Sequence, residues 1–259
     1  MIPDICGMHI LLVAATSFEI QPAIDLLSIK PALQTPDGPS ALQTPDGPPA
    51  PATVPPGREN AGHSITTLIT GVGSVPTTWS LMRQIGRQRP DLIIQAGIAG
   101  SFTRRPLGEV VVVETEELAD LGVWEEGQFK SLFDLKLADG DRLPFSGGRL
   151  VNPYQQLLAL TALERVKGIT VNEITTDPDR IRWYQQNTAA VVESMEGGGL
   201  HYTALQEKIA FLQLRSVSND IGVRDKTKWD IRAAISRLNE ELISLLGRLE
   251  TAVMTVLEP

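Results

Sequence analysis

Cysteine is almost absent from this chain: Cys6 is the only one in 259 residues. No internal disulfide can form, and a place near the N-terminus suits a passive thiol better than a nucleophile. Histidine is scarce as well. His9 opens an apolar run, His63 borders a proline-rich stretch and His201 falls in a helical one, a distribution that makes no metal site. Clustered positive charge is also missing. Lys and Arg number 23 against 31 Asp and Glu, a net charge of -8 with a pI near 5.0, and the basic residues are scattered, which disfavours nucleic acid as a partner. Finally, long hydrophobic runs are lacking. The opening MIPDICGMHILLVAA has no basic region ahead of its apolar run, which is too short for a leader or a membrane span. It reads as a first β-strand, His9 to Ala14, with no membrane association expected and the cytoplasm as the expected location.

What is present suffices for a substantial core, since 42% of the residues are hydrophobic, and the length fits one large domain, expected over residues 8–250. Residues 31–60 stand apart. From Ala32 to Gly57 the chain is rich in proline and repeats ALQTPDGPS as ALQTPDGPP. With little to bury, this stretch reads as a loosely ordered surface insertion rather than a proline-rich binding segment. Elsewhere short β-branched runs (HILLVA, SITTLIT, DLIIQA, EVVVVE, a run near GITVNEI, AAVVES, IAFLQLRSVS) alternate with amphipathic stretches. Helices are expected from Ser17, Val75, Pro153, Pro178, Met195 and about Lys228. That alternation requires crossover connections and predicts an α/β fold: a single three-layer domain whose central mixed sheet is flanked by helices.

Three places carry residues that packing does not call for, each just beyond the C-terminal end of an expected strand, where ligands bind in α/β sheets. In AATSFEI, Glu19 lies in the first turn of a helix; alone, it is as well explained by the helix dipole. The glycine turns TGVGSV (Thr70 to Val75) and AGIAGS (Ala96 to Ser101) would let backbone N–H groups approach an oxygen-rich ligand. A dinucleotide site is disfavoured, because Pro76 stands where a third glycine belongs and DLIIQA ends in Gln95 rather than an acid. In VVESMEGGGLHY and LRSVSND, Glu193, Met195, Glu196, Arg215 and Asn219 come together in one βαβ span. Three successive glycines cost a helix about 1 kcal/mol each, so something must approach that backbone closely, either a packed strand or a ligand.

In order and spacing, VAATSFEI, TGVGSV, AGIAGS, ESMEGGG and LRSVSN resemble the motif set of the nucleoside phosphorylase and nucleosidase superfamily, over most of the chain outside the insertion. Within it, ESMEGGGLHY and SNDIGVRDKTKWDI are most similar to the futalosine hydrolase family of the alternative menaquinone pathway. The resemblance implies a phosphorylase/hydrolase-like fold, cleavage of the bond between a purine base and its ribose without a cofactor, and a homodimer or larger homo-oligomer. By the same resemblance Glu196 binds the ribose hydroxyls, Met195 packs on the sugar, Glu19 activates the attacking water, and Arg215 fixes Glu19 or the water, a structural ion pair being the alternative for Arg215. Substrate contacts are implied at Gly73, Gly97, Ile98, Ala99, Gly100, Ile174 and Arg224.

Cleaving an N-ribosidic bond builds positive charge on the sugar and negative charge on the base, which calls for a carboxylate near the ribose and donors at the base. Asn219 stands where adenine-specific relatives carry aspartate. A carboxamide always offers N–H donors, which suits the 6-oxo group and N7 of hypoxanthine and puts strong general-acid catalysis in doubt. Ile98 occupies a position where related enzymes often carry a hydroxyl, so phosphate or water loses one possible ligand, whereas Ser101, Arg104 and Arg105 keep phosphorolysis open. Arg224, Lys226 and Lys228 are candidates for a substrate carboxylate, or a solvated basic loop; Trp229 either covers an aromatic ring or anchors the loop. The rival readings are a methylthioadenosine/S-adenosylhomocysteine-type nucleosidase, a purine nucleoside phosphorylase, and a noncatalytic nucleoside binder.

Overall fold

Residues 7–27, 30–33, 63–251 and 257–259 are described by the computed structural model. The elements are β1 (His9–Ala14), α1 (Ser17–Leu27), β2 (Lys30–Leu33), β3 (Ser64–Ile69), α2 (Ser74–Ile85), β4 (Leu92–Ser101), β5 (Val110–Leu118), β6 (Gly122–Glu125), β7 (Gln128–Ser131), β8 (Leu150–Val151), α3 (Gln155–Leu160), β9 (Arg165–Thr170), α4 (Pro178–Asn187), β10 (Val192–Ser194), α5 (Gly197–Glu207), β11 (Ala210–Asp220) and α6 (Ile231–Thr251). The expected α/β architecture with a mixed sheet is what forms: nine strands, ordered β10-β9-β5-β11-β4-β1-β3-β2, with β8 beside β5. The strand β1 runs parallel to β3 and β4, and β4 parallel to β11, whereas β5 is antiparallel to β11.

One end of the sheet closes on itself. β10 pairs in parallel with β9 and antiparallel with β4, so β4, β10, β9, β5 and β11 form a ring. All five contribute to one apolar cluster, Ala99, Val111, Val113, Val166, Val192 and Val217, the β-branched filling expected of a small closed sheet. The main core lies under the helices and joins the apolar residues of β1 and β4 to Leu238, Leu242, Leu245 and Leu249 of α6. Those four leucines recur at helical spacing, so one stripe of a 21-residue helix covers the sheet.

Several expected boundaries move, each for a physical reason. AGIAGS is not a turn: β4 continues through it to Ser101, because β11 and β10 supply partners along its length. LRSVSND likewise stays in β11, with a bulge between Val217 and Asn219. GITVNEI leaves the sheet after Thr170, and the strand instead begins earlier, at Arg165. AAVVES narrows to Val192–Ser194, and the helix expected from Met195 begins at Gly197. Residues 31–33, assigned to the insertion, pair with β3 as the edge of the sheet; the rest of that expected insertion, 34–60, lies outside the described residues. The β6–β7 hairpin and the short β8 have no counterpart in the expected strands. By contrast α4 begins as expected, with Pro178 in its first turn and the Asp177 carboxylate accepting from the Asp179 and Arg180 N–H groups.

Candidate active site

Glu19 is fixed from both sides. Its Oε2 accepts from the Thr16 N–H at 2.9 Å and the Thr16 hydroxyl at 3.1 Å, the T-x-x-E arrangement of a helix capping box. Its Oε1 accepts from the Ile98 N–H at 3.2 Å, which ties the head of α1 to β4. The helix backbone is held as well. Pro22 interrupts α1, and the buried Asn239 of α6 inserts its carboxamide there, accepting from the Ala23 N–H at 2.9 Å and donating to the Glu19 carbonyl at 2.8 Å. In an uninterrupted helix those two backbone groups would bond directly. Burial, then the neighbouring Glu196, push the Glu19 carboxyl above its ordinary 4.5; Arg215 and the Thr16 and Ile98 N–H groups pull it back.

Glu196 stands at the N-terminus of α5, where Gly73 and Arg215 orient it. Its Oε1 accepts from the Gly73 N–H at 3.2 Å and its Oε2 from Arg215 Nη1 at 3.3 Å. The TGVGSV segment is a true turn: Gly73 has φ of +102°, a conformation open to glycine at no steric cost, and it aims this N–H across to α5. The Ser74 hydroxyl donates to the Met195 carbonyl at 3.1 Å, and Met195 itself is half-buried. Arg215 is 1% exposed; besides Glu196 it donates to Gln95 Oε1 at 3.0 Å and to the Ile98 carbonyl at 3.4 Å. The guanidinium ion-pairs with Glu196, the structural ion pair that was the alternative for Arg215, and acts on Glu19 by charge alone.

The glycines around this centre serve close approach more than turning. A Cβ on Gly97 would strike the Arg215 guanidinium and stand 3.0 Å from Glu19 Oε1. The three glycines that open α5 would collide with Gln213 and Glu116, with Leu118, and with the Ser74 carbonyl respectively. Packed strands and α2 thus account for GGG, which draws Glu196 down onto the sheet.

The other expected residues lie around this centre or away from it. Asn219 is half-buried at the β11 bulge, opposite Gly100, its Oδ1 accepting from Ser218 Oγ at 2.9 Å and its Nδ2 donating to the Asp220 carbonyl at 3.0 Å. Ala99 turns its side chain into the apolar ring cluster and meets the site through its strand alone. Ile174 is 47% exposed in the loop after β9, and Glu193 receives the N–H of Thr175 from that loop at 3.1 Å. Arg224 is exposed and lies over the Trp229 ring, 5.4 Å from its centroid, while the Trp229 indole N–H donates to the Val223 carbonyl at 2.7 Å. That tryptophan anchors its own loop. His201 has the expected packing role: it is fully buried, edge-on to Phe211 at 4.6 Å, and burial pushes it down to about 3. Among the described residues no group of three or more His, Cys, Asp or Glu side chains could hold a metal ion.

Thr16 and Asn239 were missed. Thr16 was legible as a capping-box partner of Glu19; Asn239 had no local signal beyond being a polar residue in the apolar stripe of α6.

A family model described as the phosphorylase superfamily matches residues 10–249. The chain belongs to the phosphorylase superfamily. As a member it is 32% identical over 198 residues to a futalosine hydrolase of Acidothermus cellulolyticus, covering 74% of this chain and 80% of the relative. It is 31% identical to a futalosine hydrolase of Thermus thermophilus, covering 72% and 83% respectively. Among solved structures, an MTA/SAH nucleosidase superposes with a TM-score of 0.70 at 19% identity, covering 96% of this chain and 99% of that one; at that identity the likeness concerns the fold.

Proposed function

We propose that this superfamily member is a futalosine hydrolase: it cleaves the N-ribosidic bond of futalosine with water, releasing hypoxanthine and dehypoxanthine futalosine in menaquinone biosynthesis. The relatives at 30–32% identity that carry this name support the substrate. The observation that carries hydrolysis over phosphorolysis is the engagement of Arg215. Its guanidinium is held by Glu196, Gln95 and the Ile98 carbonyl, which leaves it poorly placed to take inorganic phosphate. Arg105 is engaged too, by Glu109 at 2.9 Å and Glu164 at 2.6 Å.

In this reading Glu196 accepts from the ribose hydroxyls. Each of its oxygens keeps a lone pair after bonding Gly73 and Arg215, and its charge stabilises the oxocarbenium ion that forms as the bond to the base breaks. Glu19 takes the proton from the attacking water as the oxygen bonds the sugar carbon. Burial raises its pKa, which makes its ionised form a stronger base than an ordinary carboxylate. Asn219 faces the departing base, with its second N–H available to the hypoxanthine oxygen or N7. Gly73, Gly97, Ile98, Gly100, Ile174 and Met195 line the substrate, Ala99 contributes through its backbone, and Arg224 belongs to the loop that meets the carboxylate end.

A cytoplasmic setting and a homodimer or larger homo-oligomer complete the proposal. Val75, Trp79 and Met82, spaced along the outer face of α2, are exposed beside Val72, an apolar patch suited to a second copy.

The test is base release in phosphate-free buffer, with futalosine, inosine and methylthioadenosine compared by chromatography. Hypoxanthine from futalosine without phosphate is expected. Phosphate-dependent cleavage, or preference for methylthioadenosine, would hand the assignment to the phosphorylase or adenine-nucleosidase reading.

A further inference from the structure

Beneath the site, β5 carries a carboxyl that the reaction above does not use. Glu116 is fully buried. Its Oε1 accepts from the Thr170 hydroxyl at 3.0 Å, while its Oε2 has no hydrogen-bond partner. It lies under the head of α5: a Cβ on Gly197, the residue after Glu196, would meet both Glu116 Oε2 and the Gln213 amide. Gln213 precedes Arg215 by two on β11, so both face the same side, and Arg215 is the positive charge that Glu116 feels. The buried guanidinium bonds Glu196, and its charge also acts through space on Glu116.

We infer that Glu116 is a positioning residue of the active site: in its neutral form it leaves the Arg215 guanidinium to Glu196, and in its ionised form it competes with Glu196 for that charge. The role rests on the hydrolase reading, in which Glu196 must be oriented by Arg215.

The surroundings favour such a switch. The titratable groups around Glu116 are Arg215 on β11, His201 on α5, Glu196 at the head of that helix, and Glu117 next along β5. His201 is held neutral by burial, down to about 3. Glu117 points to the opposite face and pairs with Arg149 at 2.7 Å. From β9 come Gly168 and Thr170, neither titratable. Burial pushes Glu116 up from 4.5 to about 7, with Arg215, Thr170 and the Gln213 amide pulling the other way.

Glu116→Gln tests this, because the amide is close in shape to the neutral acid and cannot ionise. Parent and variant are compared in kcat/KM across pH, with whichever of futalosine, inosine and methylthioadenosine the parent cleaves. A wrong substrate assignment therefore leaves the test intact. The ratio of variant to parent should rise about tenfold between about pH 6 and about pH 8, as the parent alone gains the charge. A second readout needs no turnover. A carboxyl with a raised pKa in the folded state contributes stability that is present below its ordinary 4.5 and lost as pH rises through about 7. The Tm of the variant should therefore gain on that of the parent over that interval.

A ratio that stays flat with pH overturns the role, leaving Glu116 a structural residue even if Tm behaves as expected. A flat Tm difference overturns the ionisation itself. A parent that cleaves none of the three nucleosides overturns the hydrolase reading and the positioning role with it.

Discussion

Two helices pack on the same sheet and are built on opposite rules. Helix α6 meets it through Leu238, Leu242, Leu245 and Leu249, and needs only that apolar side chains recur every three or four residues. Helix α5 meets it through Gly197 and Gly198, whose missing Cβ atoms let buried Gln213 and Glu116 and half-buried Leu118 come up to the backbone, while Gly199 admits the Ser74 carbonyl of α2. The first arrangement buries area; the second gives up helix propensity to set Glu196 beside Arg215. A helix that supplies stability can be read as a pattern, whereas a helix that supplies position is defined by what lies under it.

The strongest way to break this comparison is at Glu196. Glu196→Gln should lower kcat by about 10²–10³ in a variant that circular dichroism shows to be folded, with a lower Tm because the buried Arg215 loses its counter-charge. A variant within about threefold of the parent would place α5 with α6 as packing alone. Glu19→Gln should match it.

On the other helix, Leu245→Ala should cost about 2–5 kcal/mol in urea unfolding, yet folded variant should keep the parent's kcat/KM. Lost turnover in fully folded Leu245→Ala would mean that α6 also sets position.

Gly197→Ala lies between the two. Its Cβ must displace the Gln213 amide and Glu116, overpacking worth about 1–3 kcal/mol, and kcat should fall along with Tm because Glu196 is the preceding residue. If only Tm changes, the glycines serve packing and not placement.

The smallest effect concerns the one polar reach of α6 into the site. In the proposed reaction Glu19 is the base, so kcat/KM should fall as pH drops through its pKa, with a midpoint above 4.5. Asn239→Ala unpairs the Glu19 carbonyl and the Ala23 N–H, at a cost of about 1–3 kcal/mol, and should move that midpoint. An unmoved midpoint would confine Asn239 to stabilising α1.

The strand cores, α1, α2 and α4 were legible because hydrophobic period and capping chemistry are local: His9–Ala14 is an apolar run, and Asp177–Pro178 announces a helix. Glu19, Glu196, Gly73 and Arg215 were legible as residues that packing did not require. Their partners were not. The sequence left Arg215 either to Glu19 and the water or to a structural ion pair, and only the fold pairs it with Glu196; AGIAGS reads as a turn although β10 and β11 keep it extended.

The sequence by itself determined which residues are polar at strand ends and which helices are amphipathic, because these follow from neighbours a few positions apart. The tertiary structure alone decided that Arg215 pairs with Glu196, that Asn239 mends α1 across 220 positions to Glu19, and that GGG faces strands and α2. Those outcomes depend on which strands become neighbours and on how charge divides among buried groups, and no local pattern encodes either.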